Sequence, residues 1–169
     1  MVKKSHLLLS LLLPFFVTVI VPLFLLKVIA NQLYFNPNLI LFFLGIILLA
    51  LSLVLFIKCN LVFYKIGKGT LLDLEKLKTQ KMVFVGPYKY VRNPMIISVI
   101  LILVSESFIF GSLSILTWAI IFFITNLFYF PLFEEKGLEK RFGEEYLHYK
   151  KNVRAWIPNF KPYERSTKN

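Results

Sequence analysis

Long uncharged apolar runs alternate with short basic segments along this chain. Leu7 to Leu26 carries no charge and is bounded by Lys3, Lys4 and Lys27. At about 1.5 Å per residue, such a run spans roughly 30 Å as a helix, the thickness of a bilayer's hydrocarbon core. A second run, Leu39–Ile57, follows a polar turn at Asn31–Asn38. Met95–Phe133 holds a single charge, Glu106. As one helix it would overshoot the bilayer, so it predicts a hairpin that turns near Ser105–Ser112, where Ser, Glu and Gly gather. The pattern thus predicts four spans, at about 7–26, 39–57, 95–110 and 113–133. Pro14 and Pro22 fall inside the first and Pro131 near the end of the last. A membrane helix tolerates such residues as kinks when neighbours satisfy the freed carbonyls. Gly45, Ala50 and Ser52 would let a neighbouring helix approach the second span closely.

The pattern changes at Glu134–Lys151. Leu138, Phe142, Tyr146, Tyr149 and Val153 recur every three or four residues, and the positions between are mostly charged. This predicts an amphipathic helix for the membrane surface or for the protein's own helix ends. Gly143 weakens it by about 1 kcal/mol relative to Ala. Trp156 is a candidate interface anchor, and the final residues read as frayed.

Composition agrees with the pattern. Hydrophobic residues make up 57% and mean hydropathy is +0.70, whereas a soluble domain holds about 45–50% apolar residues. The expectation is an all-α, multi-pass membrane helical bundle, its last two spans a hairpin, with a cytoplasmic amphipathic C-terminal helix. The 169 residues suffice for one domain. The first run is longer than a signal-peptide core of about 7–15 residues and has no evident cleavage site, so it reads as a retained span.

A net charge of +11 fits nucleic acid or anionic lipid headgroups, and its distribution decides for the membrane. Of 20 Lys and Arg, all but Lys27 fall on one side of the four-span arrangement. Both termini are therefore expected in the cytoplasm. The single cysteine, Cys59, excludes an intrachain disulfide. Nothing in the sequence sets an oligomeric state, and no metal is expected.

Two features have the residue types for chemistry. One is Gly86-Pro87-Tyr88-Lys89-Tyr90-Val91-Arg92-Asn93-Pro94, where a basic loop enters the membrane; the other is Glu134-Glu135, where the last span leaves it. A hairpin that starts and ends on one face brings Asn93 and Glu134 to the same depth. Carboxylates at a span's end are costly without a partner, and a polar cofactor would be one. The plainer alternative stays open on these grounds: a Gly-Pro turn, Tyr and Arg as interfacial anchors, and acids favouring a helix N-terminus.

The order Gly-Pro-Tyr-x-Tyr-Val-Arg-x-Pro-Met, a hydrophobic hairpin, then Glu-Glu-x-x-Leu-x-x-x-Phe-Gly-x-x-Tyr-x-x-Tyr resembles the isoprenylcysteine carboxyl methyltransferase family and its phospholipid-methylating relatives. The likeness covers about residues 80–160; the first two spans are similar only in being hydrophobic. It implies S-adenosylmethionine as cofactor and methyl transfer to a lipophilic or membrane-embedded carboxylate, amine or thiol. It also implies cofactor contacts at Gln80, Lys81, Met82, Val83, Tyr88, Asn93, Pro94, Met95, Ile96 and Glu134, supported by Arg92 and Glu135. No catalytic residue is assigned. The chain departs from the family pattern twice. Asn93 stands where His is usual, and Asn keeps a donor and an acceptor but cannot titrate. Phe130 stands where the isoprenylcysteine enzymes carry an Arg one turn before the carboxylates. Two other readings remain: an NADPH-dependent membrane reductase of the sterol-reductase type, and a catalytically silent protein of the same fold.

Overall fold

The computed structural model describes residues 11–28, 35, 38–62, 64–65 and 82–164. Its regular structure is helical. Helix α1 spans Leu11–Val28, α2 Leu39–Val62 and α4 Leu113–Phe142, each long and apolar enough to cross a membrane. The shorter apolar helix α3, Pro94–Phe110, lies between α2 and α4 in sequence, and α5 covers Glu144–Asn152. The protein is an integral membrane protein.

Helix α3 packs most extensively on α2 and next on α4, while α1 lies against α4 and α3. Val17, Val99, Leu103 and Ala119 form the core where these helices meet. Outward positions such as Phe43, Ile47, Leu51, Ile124 and Phe128 stay exposed, as a hydrocarbon solvent allows. Proline is accommodated by widening the helix. Pro22 has no N–H, and in α1 a π-helical turn at Phe16–Ile20 lets Val21 N–H reach the Phe16 carbonyl. The Thr18 hydroxyl donates to the Pro14 carbonyl at 2.9 Å.

Two boundaries differ from the sequence reading. Helix α2 continues past Lys58 to Val62, because an exposed lysine can extend its ammonium to the membrane edge without ending the helix. Helix α4 continues past Phe133 to Phe142. The expected amphipathic helix is divided: its first part is the end of α4, and the chain breaks at Gly143 (φ +51°) before α5. Between α3 and α4, Gly111 adopts φ +61° and Ser112 caps α4 by accepting from Ile115 N–H.

At Gly45 the backbones of α2 and α3 approach closely. A Cβ there would lie 2.9 Å from Ile109 Cγ1 and 3.0 Å from the Ser105 carbonyl oxygen. Ser52 is buried as well, whereas Ala50 faces outward. Gly45→Leu should therefore destabilise the helix pair by about 1–3 kcal/mol through overpacking. Unfolding in mild detergent measures this, with Ala50→Leu as the substitution expected to change little.

Candidate functional site

The loop that leads into α3 is shaped by Gly86, Pro87 and Pro94. Gly86 has φ +60°, which a side chain resists. Pro87 falls in a short 3₁₀ turn, Gly86–Lys89, and Pro94 opens α3, where its missing N–H costs nothing. Tyr88 turns inward and packs on Cys59 and Val83, with Met95 alongside. The chain's tail then lies along this loop. Arg92 N–H donates to the Arg154 carbonyl at 2.9 Å, Asn159 N–H to Tyr90 at 2.7 Å and Tyr163 N–H to Lys89 at 2.9 Å. The Tyr149 hydroxyl donates to the Tyr88 carbonyl at 2.6 Å. Burial pushes the Tyr149 phenol well above its ordinary range, so it keeps its proton.

Helix α4 brings the carboxylates. Pro131 interrupts its ladder, and a π-helical turn at Phe130–Glu134 absorbs the interruption, with Glu135 N–H reaching back to the Phe130 carbonyl. Glu135 comes next, at 3% exposure. Its Oε1 lies 2.6 Å from Arg92 Nη1 and its Oε2 2.7 Å from Lys150 Nζ. Lys150 also reaches Glu139 at 2.8 Å. Hydrogen bonds to Glu135 and Glu139 hold the Lys150 ammonium above its ordinary range. Burial, then the Glu135 charge, pushes the neighbouring Tyr146 phenol up to about 12. One buried carboxylate thus joins the loop, α4 and α5.

Asn93, at the start of α3, is 4% exposed. Its Nδ2, and Nε of Arg92, are buried with no hydrogen-bond partner among the described residues. A buried donor left in that state costs about 1–3 kcal/mol. Beside them opens a cleft of about 590 Å³, lined by Arg92, Lys150, Lys151, Arg154, Asn159 and Phe160, among others.

The residues singled out in the sequence do not all meet at one point. Gln80 and Lys81 lie outside the described residues. Val83 and Tyr88 are buried together and Met95 packs against them. Met82 packs instead on the cluster of Tyr146, Tyr149 and Val153. Pro94 is buried and Ile96 half-buried in the first turn of α3. Of the two carboxylates, Glu135 bonds to the loop through Arg92, while Glu134 is half-buried one position earlier. Phe130 is buried against Trp156, ring centroids 6.2 Å apart. The apolar stripe of the tail covers the protein's own loop rather than a membrane surface: Leu138, Phe142, Met82, Phe84 and Tyr163 surround its buried residues.

Lys150 is the site residue that the sequence reading missed. Its signal was present, since Lys150 comes four positions after Tyr146 on the face that turned out to be buried.

A family model described as phospholipid methyltransferase matches residues 40–145. The match starts in α2, earlier than the motif likeness, and takes in the loop, the hairpin, both carboxylates and the start of α5. No curated protein and no solved structure matches the chain.

Proposed function

Because the chain belongs to the phospholipid methyltransferase family, we propose that it transfers a methyl group from S-adenosylmethionine to a lipophilic acceptor in the membrane. Members of this family generally use that cofactor. The observation that carries the reading is a pair of buried donors with no acceptor among the described residues, Asn93 Nδ2 and Arg92 Nε, beside the Glu135 carboxylate of α4. These residues fit a ligand that brings a carboxylate, ring nitrogens and hydroxyls. Asn93 and Arg92 would donate to it, and Glu134 would accept from its ammonium or hydroxyl groups. Tyr88, Val83, Pro94, Met95 and Ile96 would form the apolar wall.

When bound, S-adenosylmethionine supplies a methyl group already activated by its sulfonium. The protein's part is then to align the acceptor and exclude water. The buried faces of Tyr88, Tyr146 and Tyr149 serve the second task. An acceptor that is a free amine, thiolate or carboxylate needs no general base on the protein, so Asn93 in place of a titratable residue is compatible with activity. Phe130 and the family match both favour a phospholipid amine over the carboxylate of a prenylated cysteine, because Phe130 offers no cation to an anionic acceptor. The acceptor would arrive laterally from the bilayer. Both termini would lie on the cytoplasmic side, with the site. Cysteines introduced at Asn36 and Lys161 should then react with impermeant reagents from opposite sides of the membrane.

The direct test supplies methyl-labelled S-adenosylmethionine to the protein in vesicles made from a total lipid extract. Label should enter a lipid fraction; label confined to water-soluble products would overturn the reading. At the departure from the family pattern, Asn93→His should keep cofactor affinity within about tenfold, or 1.4 kcal/mol. Asn93→Leu removes the donor and should cost about 1–3 kcal/mol. Equilibrium titration of the three proteins in nanodiscs measures both. A leucine variant that binds like the wild type would remove Asn93 from the site.

A further inference from the structure

The tail after α5 turns back toward the membrane. The ring of Trp156 lies 5.7 Å from Phe123 and 6.2 Å from Phe130 of α4. Phe123 stands ten positions beyond Leu113, roughly 15 Å along the helix and about halfway through a 30 Å hydrocarbon layer. With the apolar layer taken to run from Leu113 to Glu134, Trp156 packs on a part of α4 inside it. Three of the four residues after Trp156 are apolar and uncovered: Ile157 is 63% and Phe160 103% exposed, and Pro158 is exposed between them.

Cations surround this apolar tip. Lys151, Arg154 and Lys161 are exposed. Lys151 and Arg154 stand on the wall of the cleft next to Asn159 and Phe160. The cleft's other two cations, Arg92 and Lys150, are already paired with two acids, Glu135 and Glu139. Lys151 and Arg154 pair with no acid among the described residues, and the tail's nearest acid in sequence is Glu164. Apolar side chains set to enter the bilayer, beneath cations at headgroup height, are complementary to an anionic lipid and not to a neutral surface.

We propose that Trp156–Lys161 is a membrane-seated foot whose cleft wall, Lys151 and Arg154, holds the phosphate of an anionic phospholipid. This lipid is an attachment partner, and its binding does not depend on the methyl-transfer reaction. The foot joins the loop at Tyr90 through Asn159 N–H, so lipid capture also fixes the wall of the candidate site.

Trp118→Phe leaves Trp156 as the sole tryptophan of the two. This protein is placed in nanodiscs of phosphatidylcholine with a fixed fraction of acyl-brominated lipid, either phosphatidylcholine or phosphatidylglycerol. Both lipids should quench Trp156, and the anionic one severalfold more. Each surface cation contributes about fivefold to attraction by an anionic membrane, so Lys151→Ala with Arg154→Ala should bring the two lipids to parity. Quenching by brominated phosphatidylcholine should persist in that variant, which shows that the foot is still folded and seated. No quenching by either lipid would overturn the membrane seat. Equal quenching in the parent, or a preference that survives the double substitution, would overturn the anionic partner. Loss of the preference on adding excess inorganic phosphate would assign the cations to free phosphate, against the proposal.

Discussion

Glu135→Ala should lower the unfolding free energy by about 3–5 kcal/mol, the cost of removing one partner from a buried ion pair. Glu135 is 3% exposed, and Arg92, whose side chain is 11% exposed, would be left without a carboxylate. Lys150 is the smaller concern, because at 36% exposure it keeps water and Glu139. The loss would reach beyond one contact. Arg92 precedes Asn93, and its backbone holds the tail through Arg154, so the loop, α4 and α5 would all loosen. The paired change Arg92→Met with Glu135→Leu removes both charges and should recover most of the stability while abolishing the donor at Arg92. Glu139→Ala, at a one-third exposed position, should cost less than about 1 kcal/mol. Thermal or denaturant unfolding in mild detergent measures all three. A Glu135→Ala protein as stable as the wild type would mean that the carboxylate does not hold the site together.

The second large effect concerns the neighbouring carboxylate. Glu134→Gln should weaken S-adenosylmethionine binding by tenfold to a hundredfold, the equivalent of about 1.5–3 kcal/mol for a charge-assisted hydrogen bond. It should cost less stability than Glu135→Ala, because the buried ion pair with Arg92 belongs to Glu135 and Gln keeps the hydrogen-bonding capacity of the half-buried, engaged Glu134. The two acids therefore predict opposite patterns: Glu134 is read in affinity, Glu135 in stability. Glu144→Gln is the suitable comparison, since Glu144 is exposed whereas Glu145 is half-buried and engaged. Equal loss of affinity from Glu134→Gln and Glu144→Gln would show that the effect is one of general charge.

The apolar spans were legible because uncharged runs of that length have few other uses. Gly45 was legible as a small residue inside such a run, and its close approach to Ser105 and Ile109 is the reason it is small. The end of α4 was not legible. Pro131 reads as a stop, yet the chain passes it with one widened turn. That turn also rotates the remainder of the helix. Successive residues on a helix point about 100° apart, so whether Glu134 or Glu135 meets Arg92 depends on a widening that the sequence does not announce. The pairing of the tail with residues 89–93 was invisible for another reason. It uses backbone groups of an aperiodic stretch, and hydrophobic periodicity reports only side chains. Trp156 was readable as an anchor but not as the packing partner of Phe123 and Phe130, a contact across more than twenty residues of chain.

The proposed methyl transfer requires S-adenosylmethionine to bind at the junction of the loop, α3 and α4. Its most direct test is an equilibrium titration of S-adenosylmethionine into the wild-type protein in nanodiscs, repeated with Glu134→Gln and then with NADPH as the titrant. Saturable binding that weakens at least tenfold in the variant, with no response to NADPH, is the predicted result. No saturable binding of S-adenosylmethionine by folded wild-type protein, or binding of NADPH in its place, would contradict the proposed methyl transfer.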